Sequence, residues 1–419
     1  QRYLCYKAIA LQPNSFHKLI QKGTLLVDVG GGSIQLSLFD KNNLITTHNI
    51  LLGSLRIQEF LQTMQGDVIN YQNLVHEYIS NSLHTFSKLY LQDCNVRNII
   101  AVGNQLQTFV KYLVTHHFGN LQPVDSKGNK KDSVNRQEYE ELYHAISTQA
   151  PDDLARELSI SEDKAELLLP TAMIYHNIFE ETDAEFMWLS GITICDGMAA
   201  DFAECKEHIV PAHPFSDDII SVSRKLAERF CCDTEHIHQV EIAALKLFDA
   251  LRKANHLTKK DRLLLQIAAI LHNCGSFLNL NDIGENSYKI VTSTEIIGLS
   301  HLEREIIANV VRYNIRDFDY DMMQLETEAG QDLAGVSDRT AITILIAKLT
   351  AILRLANSMD KTHKSKLIDC RMAVREGQLV ITTGYKGDLA LESASFEQKA
   401  AFFEEIFGIR PVLKQKRRV

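Results

Sequence analysis

GTLLVDVGGGS, residues 23–33, has the pattern of a buried strand that ends in an acidic residue and runs directly into three glycines. Residues 34–39 then alternate between apolar and polar side chains, which is typical of a second strand, and the polar cluster at 40–43 is a turn signal. The stretch therefore predicts a β-hairpin folded around Gly30, Gly31 and Gly32.

Such a hairpin suits a phosphate group and a metal ion. Glycines let backbone N–H groups approach a phosphate without interference from a Cβ atom. Asp28, at the end of the first strand, can hold a hydrated Mg²⁺, and the Ser33 hydroxyl can donate to a phosphate oxygen. A plain glycine-rich β-turn without a ligand explains the same residues, so the residues alone leave both interpretations open.

The remainder of residues 1–205 fits an α/β fold. Asn98 to Val102 form another short apolar strand, which runs into Gly103. Helical patterns are predicted over 70–90, 135–148 and 161–180, and the polar stretch 119–133 is predicted to be an exposed loop.

From about residue 210 the pattern becomes helical throughout. Residues 211–214 are predicted to be a linker, and the apolar positions between 342 and 356 form the clearest helical stripe in the chain. We expect a helical domain over 212–365 and a small C-terminal α+β domain over 366–419. Within the latter we predict strands at 379–383 and 389–391, a helix at 396–407 and a solvated basic tail at 414–418.

Composition limits the classes of function. The chain has 419 residues, of which 45% are hydrophobic and 23% charged, so it has enough apolar mass for two to four folded domains. The net charge of −9 argues against general nucleic-acid binding, and the sequence shows no uninterrupted apolar run of membrane-spanning length. Scattered cysteines without a CxxC pair predict reduced thiols and a cytoplasmic location.

Several segments, taken in order, resemble the Ppx/GppA family of exopolyphosphatases and guanosine pentaphosphate phosphohydrolases. DVGGGSIQ, over Asp28 to Gln35, is similar to the family's DIGGGSTE. Further similarities to family motifs follow in the same order at 52–57, 164–171, 268–275, 286–290, 311–314 and 353–360. The resemblance covers most of the chain, and its strength comes from the ordered set rather than from any single match.

The resemblance implies a fold and an activity. The fold would be α/β followed by all-α: an actin-like (ribonuclease H-like) lobe, an HD-like helical domain and a small C-terminal α+β segment. The activity would be Mg²⁺-dependent hydrolysis of the terminal phosphoanhydride of inorganic polyphosphate or guanosine pentaphosphate. A carboxylate base would activate the attacking water, and the protein would be a homodimer.

The family's functional residues transfer to matching positions in this sequence. The resemblance implies catalytic positions at Asp28 and Gln35, with Asp28 also the metal ligand, and phosphate contacts from Gly30, Gly31, Gly32, Ser33, Arg56 and Lys164.

The sequence departs from the family at several of its charged positions. Gln35 stands where the family motif has a carboxylate, and Gly103-Asn104-Gln105 stands where the family has SGT. The LREG segment is replaced by residues 194–197, which lack its arginine. We expect that the family's first lobe is not part of this sequence, and that its catalytic base is cut off or replaced by Gln1, whose amide cannot accept a proton at neutral pH.

The helical domain departs in the same direction. An HD metal site needs a histidine, a His-Asp pair and a later aspartate, whereas this chain has His272-Asn273 and Asn357. His238 is the candidate for the first histidine. The sequence therefore predicts no catalytic metal in this domain, with His238 and His272 as ordinary hydrogen-bonded side chains. A metal group made of Cys231, Cys232, His236 and His238 is a weaker alternative, because its spacing matches no zinc motif.

Two functional hypotheses remain. The first is an exopolyphosphatase-like hydrolase, which the complete Asp28 glycine hairpin favours. The alternative is a catalytically degenerate relative that binds polyphosphate or a guanosine alarmone as a sensor or scaffold, which the lost polar side chains favour. An actin-like sugar kinase is weaker still, because an HD-like helical domain occupies the place of the kinase's adenosine-binding motif.

Overall fold

The computed structural model describes residues 2–10, 16–64, 71–92, 94–103, 105–116, 133–207, 215–320 and 336–416. The chain divides into two compact units, Gln1–Asp218 and Ile219–Val419. The division at Asp218 lies near the boundary expected at 205–212, and the segment from 366 onward falls within the second unit.

The first unit is an α/β unit built on one mixed sheet. Its strands are β1 (Gly23–Val29), β2 (Ile34–Asp40), β3 (Asn43–Ile50), β4 (Val96–Val102), β5 (Ser133–Asn135) and β6 (Phe186–Leu189). Its helices are α1 (Arg2–Ala10), α2 (Phe16–Ile20), α3 (Ser54–Met64), α4 (Tyr71–Phe86), α5 (Leu106–Thr115), α6 (Arg136–Thr148), α7 (Pro151–Leu158), α8 (Glu162–Glu166), α9 (Leu168–Glu180) and α10 (Ile194–Glu207).

The six-stranded sheet has the order β3-β2-β1-β4-β6-β5. β1 pairs antiparallel with β2 and parallel with β4, so the predicted glycine hairpin lies near the middle of the sheet. The strands predicted from sequence correspond to β1, β2 and β4, whereas β3, β5 and β6 were not predicted. Lys41 and Asn42 both have positive φ, at 49° and 65°, which is the geometry of a tight two-residue turn from β2 into β3.

The three helical segments predicted in this unit correspond to α4, α6 and the pair α8 and α9, whereas α1, α2, α3, α5, α7 and α10 were not predicted. The predicted helix over 161–180 is two helices, because α8 ends at Glu166 and α9 begins at Leu168. Pro170 lies in the first turn of α9, where its missing N–H cannot bond to the carbonyl of Glu166. The predicted loop at 119–133 and the linker at 211–214 lie outside the described residues, apart from Ser133 in β5.

The second unit begins with a helical array. Its helices are α11 (Phe215–Arg229), α12 (Thr234–Leu251), α13 (Lys259–Leu271), α14 (Ile283–Ser293), α15 (His301–Arg312) and α16 (Val336–Ser358), with a 3-10 turn at Cys274–Phe277. Thr258 and Asp261 form a capping box at the start of α13, and Ser300 with Glu303 does the same for α15. The described residues between 215 and 365 contain no strand, as the sequence predicted.

The C-terminal segment of the second unit forms a small sheet and one helix. β7 (Arg371–Arg375), β8 (Gln378–Thr383) and β9 (Arg410–Gln415) pair in that order, and α17 (Ala390–Phe407) connects β8 to β9. The Lys246 ammonium donates to the carbonyl of Ile368 at 2.9 Å and ties α12 to this segment.

One prediction for this segment is wrong. Residues 389–391 are not a strand, because α17 begins at Ala390, whose N–H donates to the Asp388 side chain at 2.8 Å. The side chains of Lys414, Gln415 and Lys416 are exposed, as predicted for a solvated tail, while the backbone of Lys414 and Gln415 pairs with β8.

The scattered cysteines were predicted to be reduced. Free thiols are found at Cys5, Cys94, Cys195, Cys231, Cys232, Cys274 and Cys370.

One helix is long and apolar. Among the described residues, one helical stretch, Arg339–Ser358, has the length and mean hydropathy of a membrane span, and 56% of it is buried inside the protein as in a core helix.

Candidate functional site

The predicted catalytic positions Asp28 and Gln35 lie side by side on the glycine hairpin. They are direct partners across β1 and β2, so their side chains leave the same face of the sheet. Each residue is 9% exposed. The register thus confirms that Asp28 is at a strand end, and it places a neutral amide next to the carboxylate.

The turn between these strands is tight and open on one side. The Gly30 N–H donates to the Ser33 carbonyl at 3.0 Å, which closes the turn. A Cβ atom on Gly32 would meet nothing within 4 Å, and Gly32 is exposed. The tip of the hairpin therefore presents accessible backbone, as a phosphate contact requires.

The start of α3 fixes the direction of the hairpin's peptide groups. The Ser54 N–H donates to the Gly30 carbonyl at 3.1 Å, and the Leu55 N–H donates to the Gly31 carbonyl at 3.0 Å. In a planar trans peptide the N–H points opposite to the C=O. Because the carbonyls of Gly30 and Gly31 point toward α3, the N–H groups of Gly31 and Gly32 point away from it, side by side.

Two further glycines allow the backbone to pack tightly behind the turn. A Cβ on Gly53 would lie 2.1 Å from the Gly31 oxygen, and a Cβ on Gly103 would lie 2.5 Å from the Val29 oxygen. Gly103 also has φ +134°, which L side chains rarely adopt. Three chain segments thus meet at the hairpin with no room for a side chain between them.

Tyr175 of α9 holds the two central strands together below the hairpin. Its hydroxyl lies 3.1 Å from the Val102 carbonyl and 3.3 Å from the Val27 carbonyl. Complete burial raises the pKa of Tyr175 well above its usual range, and the charge of Asp28 adds to the rise. Tyr175 is therefore a neutral donor that fixes β1 against β4.

A second carboxylate borders the same corner of the unit. Burial raises the pKa of the Cys5 thiol, and the charges of Asp28 and Asp196 raise it further. Asp196 accepts from the Thr193 hydroxyl at 2.7 Å and from the Thr193 N–H at 2.8 Å, and these bonds lower the pKa of Asp196. The sequence analysis assigned Asp196 no role, although a Thr-x-x-Asp spacing before a helix is a known capping signal.

The two predicted basic residues differ in how the structure places them. The backbone N–H of Arg56 is 3.4 Å from the Gly31 carbonyl, so the backbone of Arg56 lies beside the hairpin. The side chain of Arg56 is exposed. Lys164 is exposed on α8, and no contact among the described residues brings it to the hairpin. Gln58 donates to Glu166, which links α3 to α8.

The hairpin offers ligands that fit a hydrated metal ion. Asp28 supplies a buried carboxylate. The side-chain amide oxygen Oε1 of Gln105, two residues after Gly103 in sequence, is buried and has no hydrogen-bond partner in the described part of the chain. A hydrated Mg²⁺ needs one or two oxygen ligands from the protein and carries water donors for such an oxygen. Asn104 lies outside the described residues.

The second unit contains a buried histidine cluster where the sequence predicted a degenerate HD site. His236 Nδ1 is 2.8 Å from Asp360 Oδ2, and His236 Nε2 is 3.2 Å from Asn357 Oδ1. The Nε2 atoms of His236 and His272 are 3.3 Å apart. The ring of His363 stacks on His236 at 3.7 Å.

The partners of the outer nitrogens define the protonation of this pair. A carbonyl only accepts, so the 2.7 Å contact with Ala269 O puts a proton on His272 Nδ1. The Asp360 carboxylate likewise puts a proton on His236 Nδ1. A neutral imidazole carries a single N–H, so a ring whose Nδ1 donates presents its Nε2 as an acceptor.

Two sequence predictions about this cluster need correction. His238 does not supply the first histidine, because it is exposed, whereas His236 is buried at 4% exposure. Counting back four residues from the buried Val240 along α12 leads to His236, so the helical period held the signal. Cys231, Cys232, His236 and His238 do not form a ligand group among the described residues, since His236 is engaged by Asp360 and Asn357.

Comparisons with known proteins agree with the motifs. The model of the Ppx/GppA phosphatase family matches residues 15–204, and the model of Ppx/GppA phosphatase domain III matches residues 220–399. The guanosine-5'-triphosphate,3'-diphosphate pyrophosphatase of Aeromonas hydrophila is 26% identical over 180 residues, which are 43% of this chain and 32% of that protein. The chain thus spans about a third of the curated relative it matches.

Solved structures also show similarity at low identity. An exopolyphosphatase from Cytophaga hutchinsonii has a TM-score of 0.39 and 12% identity, over 48% of this chain and 62% of that one. A Ppx/GppA family member from Aquifex aeolicus has a TM-score of 0.38 and 15% identity, over 50% of this chain and 63% of that one.

The close approach of Gly53 to Gly31 predicts that two glycine substitutions differ in their effect on stability. Gly53→Ala should lower the free energy of unfolding by about 1–3 kcal/mol, because its Cβ collides with the backbone of Gly31. Gly32→Ala is the matched control and should stay within about 0.5 kcal/mol of the wild type, because its Cβ enters open space. Urea denaturation measures both, and equal losses would contradict the close approach.

His272 predicts a pH dependence of stability. Burial, together with the charge of His236 and against the bond to Ala269, lowers the pKa of His272 from 6.5 to about 4. Between these pH values the unfolded chain binds a proton that the folded chain does not. The free energy of unfolding should therefore fall as the pH drops from 6.5 to 4, by roughly 3 kcal/mol in total from this group.

Denaturation of the wild type and of His272→Gln at several pH values measures this effect. The variant should lose most of the dependence, whereas His238→Gln, which changes an exposed histidine on α12, should keep it. If the free energy of unfolding changes with pH as steeply in His272→Gln as in the wild type, groups other than His272 cause the pH dependence.

Proposed function

Because the chain belongs to the Ppx/GppA phosphatase family, we propose that its first unit forms one side of a site that hydrolyses terminal phosphoanhydrides. The substrate class is inorganic polyphosphate or guanosine pentaphosphate. The family's fold implies that this unit is an actin-like lobe and that the helical array is HD-like. We also propose that the protein is a homodimer and acts in the cytoplasm.

One observation carries it: the N–H groups of Gly31 and Gly32 point away from α3 in the turn that directly follows the strand of Asp28. Their direction follows from the bonds of Gly30 O and Gly31 O to α3. Two backbone N–H groups on one side of a turn form an anion-binding concavity. A terminal phosphate there would lie beside a metal anchor, which is the arrangement that phosphoryl transfer requires.

Mg²⁺ would be held by Asp28, with Gln105 Oε1 as acceptor for one of its waters. When bound, the ion supplies positive charge that stabilises the phosphate oxygens during transfer. The hairpin N–H groups orient the terminal phosphate, and the tight packing of Gly53 and Gly103 keeps those groups rigid. Arg56 would neutralise further negative charge on the phosphate groups. Lys164 would do the same from α8, which Gln58 and Glu166 link to α3.

The buried Gln35 favours the alternative, a relative that binds the ligand without hydrolysing it. Its amide lies directly across from Asp28, where the family motif has a carboxylate. An amide cannot accept a proton at neutral pH and contributes no charge to a metal site. A sensor or scaffold for polyphosphate or an alarmone needs the N–H groups of Gly31 and Gly32 but not the second carboxylate.

The chain as given should bind polyphosphate weakly and hydrolyse it negligibly. When it is preceded by the first lobe of a family member that carries the glutamate base, Mg²⁺-dependent hydrolysis should appear. Asp28→Asn should then lower the rate by orders of magnitude, because the ion loses its charged anchor. Phosphate release from polyphosphate measures the rate.

Gln35→Glu separates the two functions. If the missing carboxylate limits catalysis, Gln35→Glu should raise the rate of phosphate release from polyphosphate. Gln137→Glu makes the same change at an exposed position on α6 and should leave this rate unchanged. Strong hydrolysis by the chain as given would contradict the incomplete site, and activity unaffected by Asp28→Asn would contradict the site itself.

We further propose that the second unit holds no catalytic metal. Asn273 and Asn357 stand where the family's HD site has aspartates, and an amide brings no charge to hold a cation. Asn357 Oδ1 contacts His236 Nε2 at 3.2 Å. The transition-metal content of the purified chain should therefore be unchanged by His272→Ala. Elemental analysis that finds stoichiometric metal in the wild type, lost in this variant, would overturn the prediction.

A further inference from the structure

A second group of metal-ligating side chains lies among the helices of the first unit. It comprises His76 of α4 with His176 and Glu180 of α9, and one ligand atom from each lies within 4.8 Å of the others. We propose that these three side chains form a binding site for a divalent transition metal of the zinc type. This inference is independent of the hairpin and of the proposed hydrolase activity.

The helices place these ligands next to one another without rearrangement. His176 and Glu180 are four residues apart on α9 and so share one face. His76 Nε2 lies 2.5 Å from Glu180 Oε2. The Ser80 hydroxyl donates to the Asn177 side-chain oxygen at 2.9 Å and holds α4 against α9 at the same level.

His176 is oriented in the way that metal-binding histidines are. Its ring stacks on Tyr143 with centroids 4.1 Å apart and planes 11° apart, and the side chain is 15% exposed. Its Nδ1 is buried 3.3 Å from Glu140 Oε2, without the alignment of a hydrogen bond. A carboxylate behind one ring nitrogen is the usual outer partner of a histidine that binds metal through the other.

The distances fit a small adjustment to tetrahedral geometry. Bonds of about 2.0–2.2 Å to zinc place neighbouring ligand atoms roughly 3.3 Å apart. Two observed separations lie on either side of this value: 2.5 Å from His76 Nε2 to Glu180 Oε2, and 3.7 Å from His176 Nε2 to Glu180 Oε1. All three ligand atoms lie within 4.8 Å of one another, so side-chain shifts of about 1–2 Å would close the site.

The ligand types decide which ions fit. Two imidazoles and one carboxylate match zinc and its neighbours, whereas Mg²⁺ and Ca²⁺ prefer oxygen ligands alone. Three protein ligands leave a fourth position for water. A simple ion pair explains the contact of His76 with Glu180, but it leaves His176 Nδ1 buried beside Glu140 without an aligned hydrogen bond.

The site would brace the helix that supports the hairpin. Tyr175 precedes His176 on α9, and its hydroxyl contacts the carbonyls of Val27 and Val102. A metal ion that joins α4 to α9 would hold Tyr175 in place from the other side of the helix. Binding should therefore also raise the melting temperature of the chain.

Calorimetric titration of the 419-residue chain with zinc chloride tests the proposal. His176→Ala and Glu180→Gln should each weaken binding by at least about tenfold, and Glu140→Gln by about tenfold through the loss of the outer partner. His84→Ala, an exposed histidine on the same helix as His76, is the matched control and should bind as the wild type does. Circular dichroism confirms that each variant is folded.

Cobalt chloride gives a second measurement, because Co²⁺ in tetrahedral nitrogen–oxygen coordination absorbs visible light. The band should disappear in His176→Ala and persist in His272→Ala, which alters the histidine cluster of the second unit. Zinc binding that survives both His176→Ala and Glu180→Gln overturns the proposal. So does binding that is lost only in His272→Ala, or no binding by the wild type.

Discussion

The hydrogen bonds from the start of α3 to the carbonyls of Gly30 and Gly31 determine what the hairpin can do. A helix begins with N–H groups that lack partners inside the helix. Here Ser54 and Leu55 satisfy two of them with the glycine carbonyls. Because a peptide is planar, these bonds turn the next two N–H groups outward. The direction of the anion-binding groups is thus set by a helix that need not contact the anion.

Both units show the same chemical change at their most polar positions. In the first, Gln35 faces Asp28 across the hairpin, and in the second, Asn357 lies beside His236. An amide keeps the shape and the oxygen of a carboxylate but removes its charge. The amide can then form a hydrogen bond with its neighbour, whereas two adjacent carboxylates would repel each other unless a proton or a cation lay between them.

Periodicity predicted the elements whose pattern is regular over their length. The buried strand at 23–29, the hairpin at 30–33 and the helices between 215 and 365 follow from alternation and helical spacing. Residues 389–391 were assigned wrongly because three apolar or small residues fit either element, and α17 begins at Ala390. β9 was missed because only one of its side chains, Pro411, is fully buried, so its apolar pattern is short and irregular.

The sequence by itself determined the glycine hairpin, the position of Asp28 and the family to which the ordered motifs belong. These depend on residues close together along the chain, where local backbone geometry leaves few choices. Only the tertiary structure decided that Gly53 and Gly103 pack against the hairpin, that His236 rather than His238 meets His272, and that His76 joins His176 and Glu180. Each of these contacts joins segments distant in sequence, and no local pattern records which faces of two helices or loops will meet.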